Sequence, residues 1–302
     1  MTALQRSLLT TIAYFDLFDY PLTPQELFHY LWQPPEQTTL HDVLTCLPTV
    51  SGLTQQNGLI TFSNRTQLVK TRAARYLASE QKLKKRLRYI KLLTYLPWVQ
   101  AIYIVNSLAY YNVQDHSDID LLIIAKPGTI WSTRFFTTAL AKLLKLRPQP
   151  NKTKDTLCLS FYLTNSKLNL DSLRNSINDK HEAYWLSQIF PIFDPHNITP
   201  KFFQANIWLN QVLPNHLIPV LHPRFTIKYS WLHAILQNCL GIFAWEQVLK
   251  KNQLAILPKK LQQLSEASTG LVILSDTLLK FHTYDPRPEL EKQLEKNSYL
   301  SP

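Results

Sequence analysis

The chain has 302 residues, room for two or three domains, and its 45% hydrophobic and 18% charged content describes a folded protein with a sizeable core. Its five glycines, Gly52, Gly58, Gly128, Gly241 and Gly270, cannot be arranged into a dinucleotide-binding loop, a Walker loop or a G-x-S-x-G elbow, and its nine histidines form no H-E-x-x-H pair. The net charge is +11 and is concentrated: between Arg65 and Lys91 ten basic residues stand against one acid, Glu80, which makes polyanions candidate partners.

Residues 4–17 carry apolar side chains at helical spacing and predict a first helix. Thr23-Pro24-Gln25-Glu26 is a capping box with proline at the first helical position, so a second helix covers 24–32 until Pro34-Pro35. A third covers 39–47. Asn57-Gly58 between 53–56 and 59–62 predicts a hairpin turn. Three short helices and a hairpin are the order of a winged helix-turn-helix; a small helical cap with an incidental hairpin is the plainer alternative. The basic run falls on one long helix, 66–96, either as a solvated face or as a ridge for nucleic-acid phosphates.

From residue 99 the pattern changes. Segments 101–105, 118–125 and 156–163 read as strands, 106–110 as a short helix and 130–144 as an amphipathic helix. Residues 171–294 read as mostly helical, interrupted by prolines. The apolar stretch 229–249 contains His233, Gln237, Asn238 and Glu246, which suits a buried helix better than a membrane span. Cys46, Cys158 and Cys239 are too few and too scattered for a disulfide framework or a zinc site, and each is expected to be buried apolar filler. With no signal-peptide pattern at residues 1–6, a reducing cytoplasm is the expected location.

The chemistry is expected around Val105-Asn106-Ser107 and Ser117-Asp118-Ile119-Asp120. Alternate residues of a strand share a face, so Asp118 and Asp120 stand with Cα atoms roughly 6.6 Å apart. Two carboxylates about 5 Å apart repel by roughly 3 kcal/mol at an effective dielectric near 20. A hard dication, Mg²⁺ or Mn²⁺, removes that cost. Ser107, where a strand gives way to a helix, offers a hydroxyl and amides to a phosphate. Ile119, Leu121 and Ile123 are expected to pack the opposite face.

This stretch resembles the DNA polymerase β-like nucleotidyltransferase superfamily, whose signature is Gly-Ser, a spacer and then Asp-x-Asp; the match covers 101–163, about a fifth of the chain. Segments at Asp16-x-x-Asp19-Tyr20-Pro21, Phe203 to Trp208 and Phe281-His282-x-Tyr284-Asp285-x-Arg287 are similar to an uncharacterised bacterial subgroup. The resemblance implies an α+β fold: a winged-helix-like domain at 1–63, a basic linker helix at 64–97, a small mixed-sheet nucleotidyltransferase core at 98–170 and a helical C-terminal region at 171–302. It also implies that Asp118 and Asp120 hold the metal ions, and that Ser107, with Asn106 and Ser117 beside it, holds the triphosphate of an NTP. The superfamily's usual glycine is replaced here by Asn106. Its third carboxylate has no clear counterpart, Asp155 being the nearest candidate metal ligand. The implied activity is transfer of NMP from NTP to an unknown hydroxyl-bearing or protein acceptor. The alternative is a degenerate relative that binds nucleotide, or DNA or RNA through the winged-helix region and basic helix. His116, Lys126 and Arg134 are either phosphate contacts or surface residues.

Overall fold

The computed structural model describes residues 1–149, 153–240, 245–267 and 269–296, with the backbone alone for 237–240. The side chain of Cys239, expected to be core filler, therefore lies outside the described residues. Three short helices open the chain: α1 (Ala3–Asp16), α2 (Pro24–His29) and α3 (Leu40–Cys46). Thr2, Thr23 and Thr39 cap them, each in a reciprocal box with Gln5, Glu26 or Asp42, and such caps are each worth about 1 kcal/mol. Strands β1 (Leu53–Gln56) and β2 (Leu59–Phe62) form the hairpin, and its turn places Asn57 and Gly58 at φ 51° and 76°. Leu22 bridges Ile60 beside it.

The long basic helix α4 (Leu68–Thr94) follows. Much of its charge is spent inside the molecule. Arg65, just ahead of it, and Arg75 pair with Asp19, Arg72 pairs with Glu26 and lies over the Tyr20 ring, and Lys84 pairs with Glu80. Lys82, Lys85 and Arg86 converge on Asp155.

The remaining elements are β3 (Val99–Ile104), β4 (Ile119–Ala125), α5 (Ile130–Leu143), β5 (Leu157–Thr164), α6 (Lys180–Ser187), β6 (Phe190–Phe193), α7 (Ile198–Ala205), α8 (Leu209–Val212), α9 (Trp231–Leu240), α10 (Glu246–Ala255), α11 (Lys259–Glu266), β7 (Val272–Leu274), β8 (Leu278–Phe281) and α12 (Arg287–Glu295). The sheet is mixed and six-stranded, in the order β6-β3-β4-β5-β8-β7. Among the described strands only β4 and β5 run parallel, and α5 supplies the crossover that parallel neighbours require. One face packs Leu122, Ile124 and Phe161 against α1, α6 and α7; the other packs Ile119, Leu121 and Ile123 with residues of α4 and α5. The chain is thus mixed α and β. No helix among the described residues is long and apolar enough to cross a membrane.

One expectation needs correction. The region after residue 170 is not simply helical, because β6, β7 and β8 come from it and form both flanks of the sheet. These strands have three or four residues each, too short for alternation to show among the prolines.

Asp155 and Lys82 are 6% and 5% exposed, so removing one partner strands the other's charge. Asp155→Ala is expected to cost about 3 kcal/mol, read as a lower midpoint in urea unfolding.

Candidate functional site

Asp120 lies near the start of β4, and Asp118 stands one residue ahead of the strand. The backbone holds both in place. Asp120 is paired in register with Cys158 on β5, Val105 donates its amide to the Asp120 carbonyl at 3.1 Å, and the Ile119 amide reaches the Thr156 carbonyl at 2.8 Å. The expected alternation holds, with Ile119, Leu121 and Ile123 in the opposite core. Ligand atoms of Asp118, Asp120 and Cys158 come within 4.8 Å of one another.

Burial, and then the Asp118 charge, push Asp120 up to about 6, against hydrogen bonds from Asn106 and Cys158. Burial also raises Asp118, opposed by a backbone hydrogen bond and by Lys82 and Arg147. The Cys158 thiol is pushed far up by burial and by Asp120, so it stays protonated at neutral pH. It donates to Ser160 Oγ at 3.3 Å.

Asn106 occupies the turn after β3 at φ 58°, a left-handed conformation that asparagine adopts more readily than most residues. Its Oδ1 accepts from Trp185 Nε1 at 3.0 Å, and its amide group donates to Asp120. The expected short helix at 106–110 is only a 3₁₀ turn, Asn106–Leu108. Ala109, Tyr111 and Asn112 donate back to Asn106, Leu108 and Ser107.

Asn106, Ser107, Asp120 and Cys158 border a cavity of about 540 Å³ that the sequence did not announce. Helix α1 and the residues after it supply Tyr14, Phe15 and Phe18, α6 supplies His181 and Trp185, and the segment after β8 supplies His282. Tyr14 Oη and His181 Nδ1 are 3.2 Å apart, and His282 Nε2 lies 3.5 Å from Ser160 Oγ.

Two expected site residues fall elsewhere. Ser117 donates its hydroxyl to the Gln114 carbonyl and accepts from Lys82 at 3.2 Å, so it serves the α4 contact and does not border the cavity. Asp155 does not join Asp118 and Asp120. At φ 60° its backbone turns toward α4, and although burial pushes its carboxyl up, Lys85 and Lys82 hold it below the usual value. The third group at the pair is Cys158, a half-buried residue and not core filler; Cys46 is half-buried too. Cys158 and Ser160 alternate on β5, and that alternation is the sequence signal for their shared face.

The other candidates divide cleanly. His116 and Lys126 are exposed, and Arg134 donates to Gln253 and lies over the Phe281 ring, joining α5 to α10. Arg287 binds Asp285, Asp179 and the Leu173 carbonyl, a packing role, while His282 of the same segment faces the cavity. Asn206 is fully buried and bonds the Leu168 and Phe202 carbonyls, the Leu170 amide and Trp208 Nε1, which makes it a structural staple. No family model, curated protein or solved structure matches the chain.

A carboxyl raised in the folded state binds its proton more tightly there than when unfolded, so its charged form opposes folding above its folded pKa. In metal-free protein Asp120→Asn should therefore raise stability at pH 7.5 by about 2 kcal/mol, and the gain should shrink as pH falls through 6 toward 4. Thermal melts of both proteins across that range check this.

Proposed function

We propose that the chain is a metal-dependent nucleotidyltransferase that moves NMP from an NTP to a hydroxyl-bearing acceptor. The observation that carries this reading is the placement of Asp118 and Asp120 at one end of β4, beside a left-handed turn that opens on Asn106 and Ser107. The donor set fits a divalent cation, since two crowded carboxylates with raised pKa values gain most from one. Asp118 and Asp120 would hold Mg²⁺ or Mn²⁺, which when bound supplies neutralisation of phosphate charge. Ser107 binds phosphate through its hydroxyl and amide. Asn106 orients Asp120 and is itself fixed by Trp185. Arg147, felt by Asp118, adds positive charge on its side, while Lys82 beside it is held by Asp155.

A second reading, a nucleotide-binding module without turnover, is favoured by one feature: Cys158 stands beside the pair as a protonated thiol and brings no negative charge there. Binding of DNA or RNA is the weaker variant, because the ion pairs of Arg65, Arg72, Arg75, Lys82, Lys84, Lys85 and Arg86 already draw on the charge that phosphates would need.

Incubation with Mn²⁺ or Mg²⁺, labelled NTP and candidate acceptors should release pyrophosphate. The Asp118→Ala, Asp120→Ala double variant should lose about a hundredfold or more of that release. Equal release from both proteins sinks the transferase reading. Metal-dependent NTP binding without release, lost in the double variant, selects the second.

A further inference from the structure

The two sides of the Asp118–Asp120 pair differ in charge. Asp118 feels Lys82 and Arg147 and does not border the cavity. Asp120 does border it, and no lysine or arginine stands among the described residues that line it. Triphosphate needs a cation, and Arg147 supplies one on the Asp118 side; Ser107, the proposed phosphate contact, stands at the cavity's border, and the cation-free cavity is left for the other reactant.

Its walls describe that reactant. Tyr14, Phe18, Tyr110, Trp185 and Phe281 present ring faces or edges, and Gln188 and Ser160 supply hydrogen-bonding groups between them. Burial holds His282 down at about 4 and lowers His181 as well, so both rings are neutral at pH 7. In the adjoining small recess Arg287 is bound by Asp179 and Asp285, and burial lowers the pKa of Lys280, which faces the field of Glu182. The volume, about 540 Å³, falls in the range of about 300–1,000 Å³ usual for small-molecule sites. A nucleic-acid strand would instead need a basic track beside its stacking rings.

We infer that this cavity is the acceptor subsite, and that it takes a small uncharged molecule with a planar ring and a hydroxyl group. The term acceptor rests on the transferase reading; the cavity's preference for a neutral ring does not. In the transfer, the acceptor oxygen bonds to the α-phosphorus of the NTP and the bond from that phosphorus to its bridging oxygen breaks. Pyrophosphate leaves, the hydroxyl proton goes to solvent, and nothing is oxidised or reduced. Helix α1 of the N-terminal unit thereby becomes a wall of the reaction site.

The test uses the full chain, metal-free, titrated with 7-hydroxycoumarin and 2-naphthol and followed by probe anisotropy. Saturable binding is expected for at least one probe. Thr283→Trp, which brings a large ring in from an exposed position, and Ser160→Phe, which fills the cavity from β5, should each weaken it about tenfold or more. No saturation with either probe, or binding that neither substitution weakens, overturns the inference. Displacement of the probe by ATP with Mn²⁺ overturns it by giving the cavity to the donor's base. Displacement by a single-stranded oligonucleotide overturns it in favour of a nucleic-acid acceptor. Retention of the probe against both competitors supports it. The titration itself contains neither metal nor NTP, so it stands or falls separately from the pyrophosphate assay: pyrophosphate release indifferent to Asp118 and Asp120 sinks the transferase reading and leaves the probe result intact.

Discussion

Asp118 and Asp120 are held together by the backbone against their own repulsion. The β4–β5 register, the Val105 amide on the Asp120 carbonyl and the Ile119 amide on Thr156 fix the two positions before any side chain has a choice. Leu121 and Ile123 anchor the strand's other face in the core, so the ribbon cannot rotate to move the acids apart. Both carboxyls are raised, first by burial, and Asp120 by the Asp118 charge as well.

The neighbours of the pair are adjusted to it. Asn106 accepts a left-handed backbone and uses both ends of its amide, one toward Asp120 and one toward Trp185. Through that bond, α6 is coupled to the acidic pair, and α6 is also a wall of the cavity. Cys158 sits where a further carboxylate would intensify the repulsion; as a protonated thiol it adds a donor and no charge.

The basic helix shows how charge density can mislead. A run of +9 from Arg65 to Lys91, nearly all of it on one helix, has the composition of a phosphate ridge, but acids distant in sequence meet it. Asp16, Asp19 and Glu26 arrive from the N-terminal unit, and Asp155 from the strand edge. The helix thus binds the N-terminal unit to the sheet. Ser117, next to Asp118 in sequence, and Asp155, at the edge of the later strand, were drawn into that contact and away from the site expected for them.

Local rules settled much of this molecule in advance. The Thr23 capping box, the Asn57-Gly58 turn, the long helix and the alternation that sends Asp120 one way and Ile119, Leu121 and Ile123 the other are short-range consequences of residue type, and each stands where the sequence put it. The six-stranded sheet was not readable, because strands as short as β7 carry almost no period. Nor were the cavity, the partners of Asp155 or the place of Cys158. Tyr14, Cys158, His181 and His282 come from four separate parts of the chain, and what joins them is strand pairing and helix packing. Spacing along a chain encodes neighbours within one element; only the folded sheet decides which elements become neighbours.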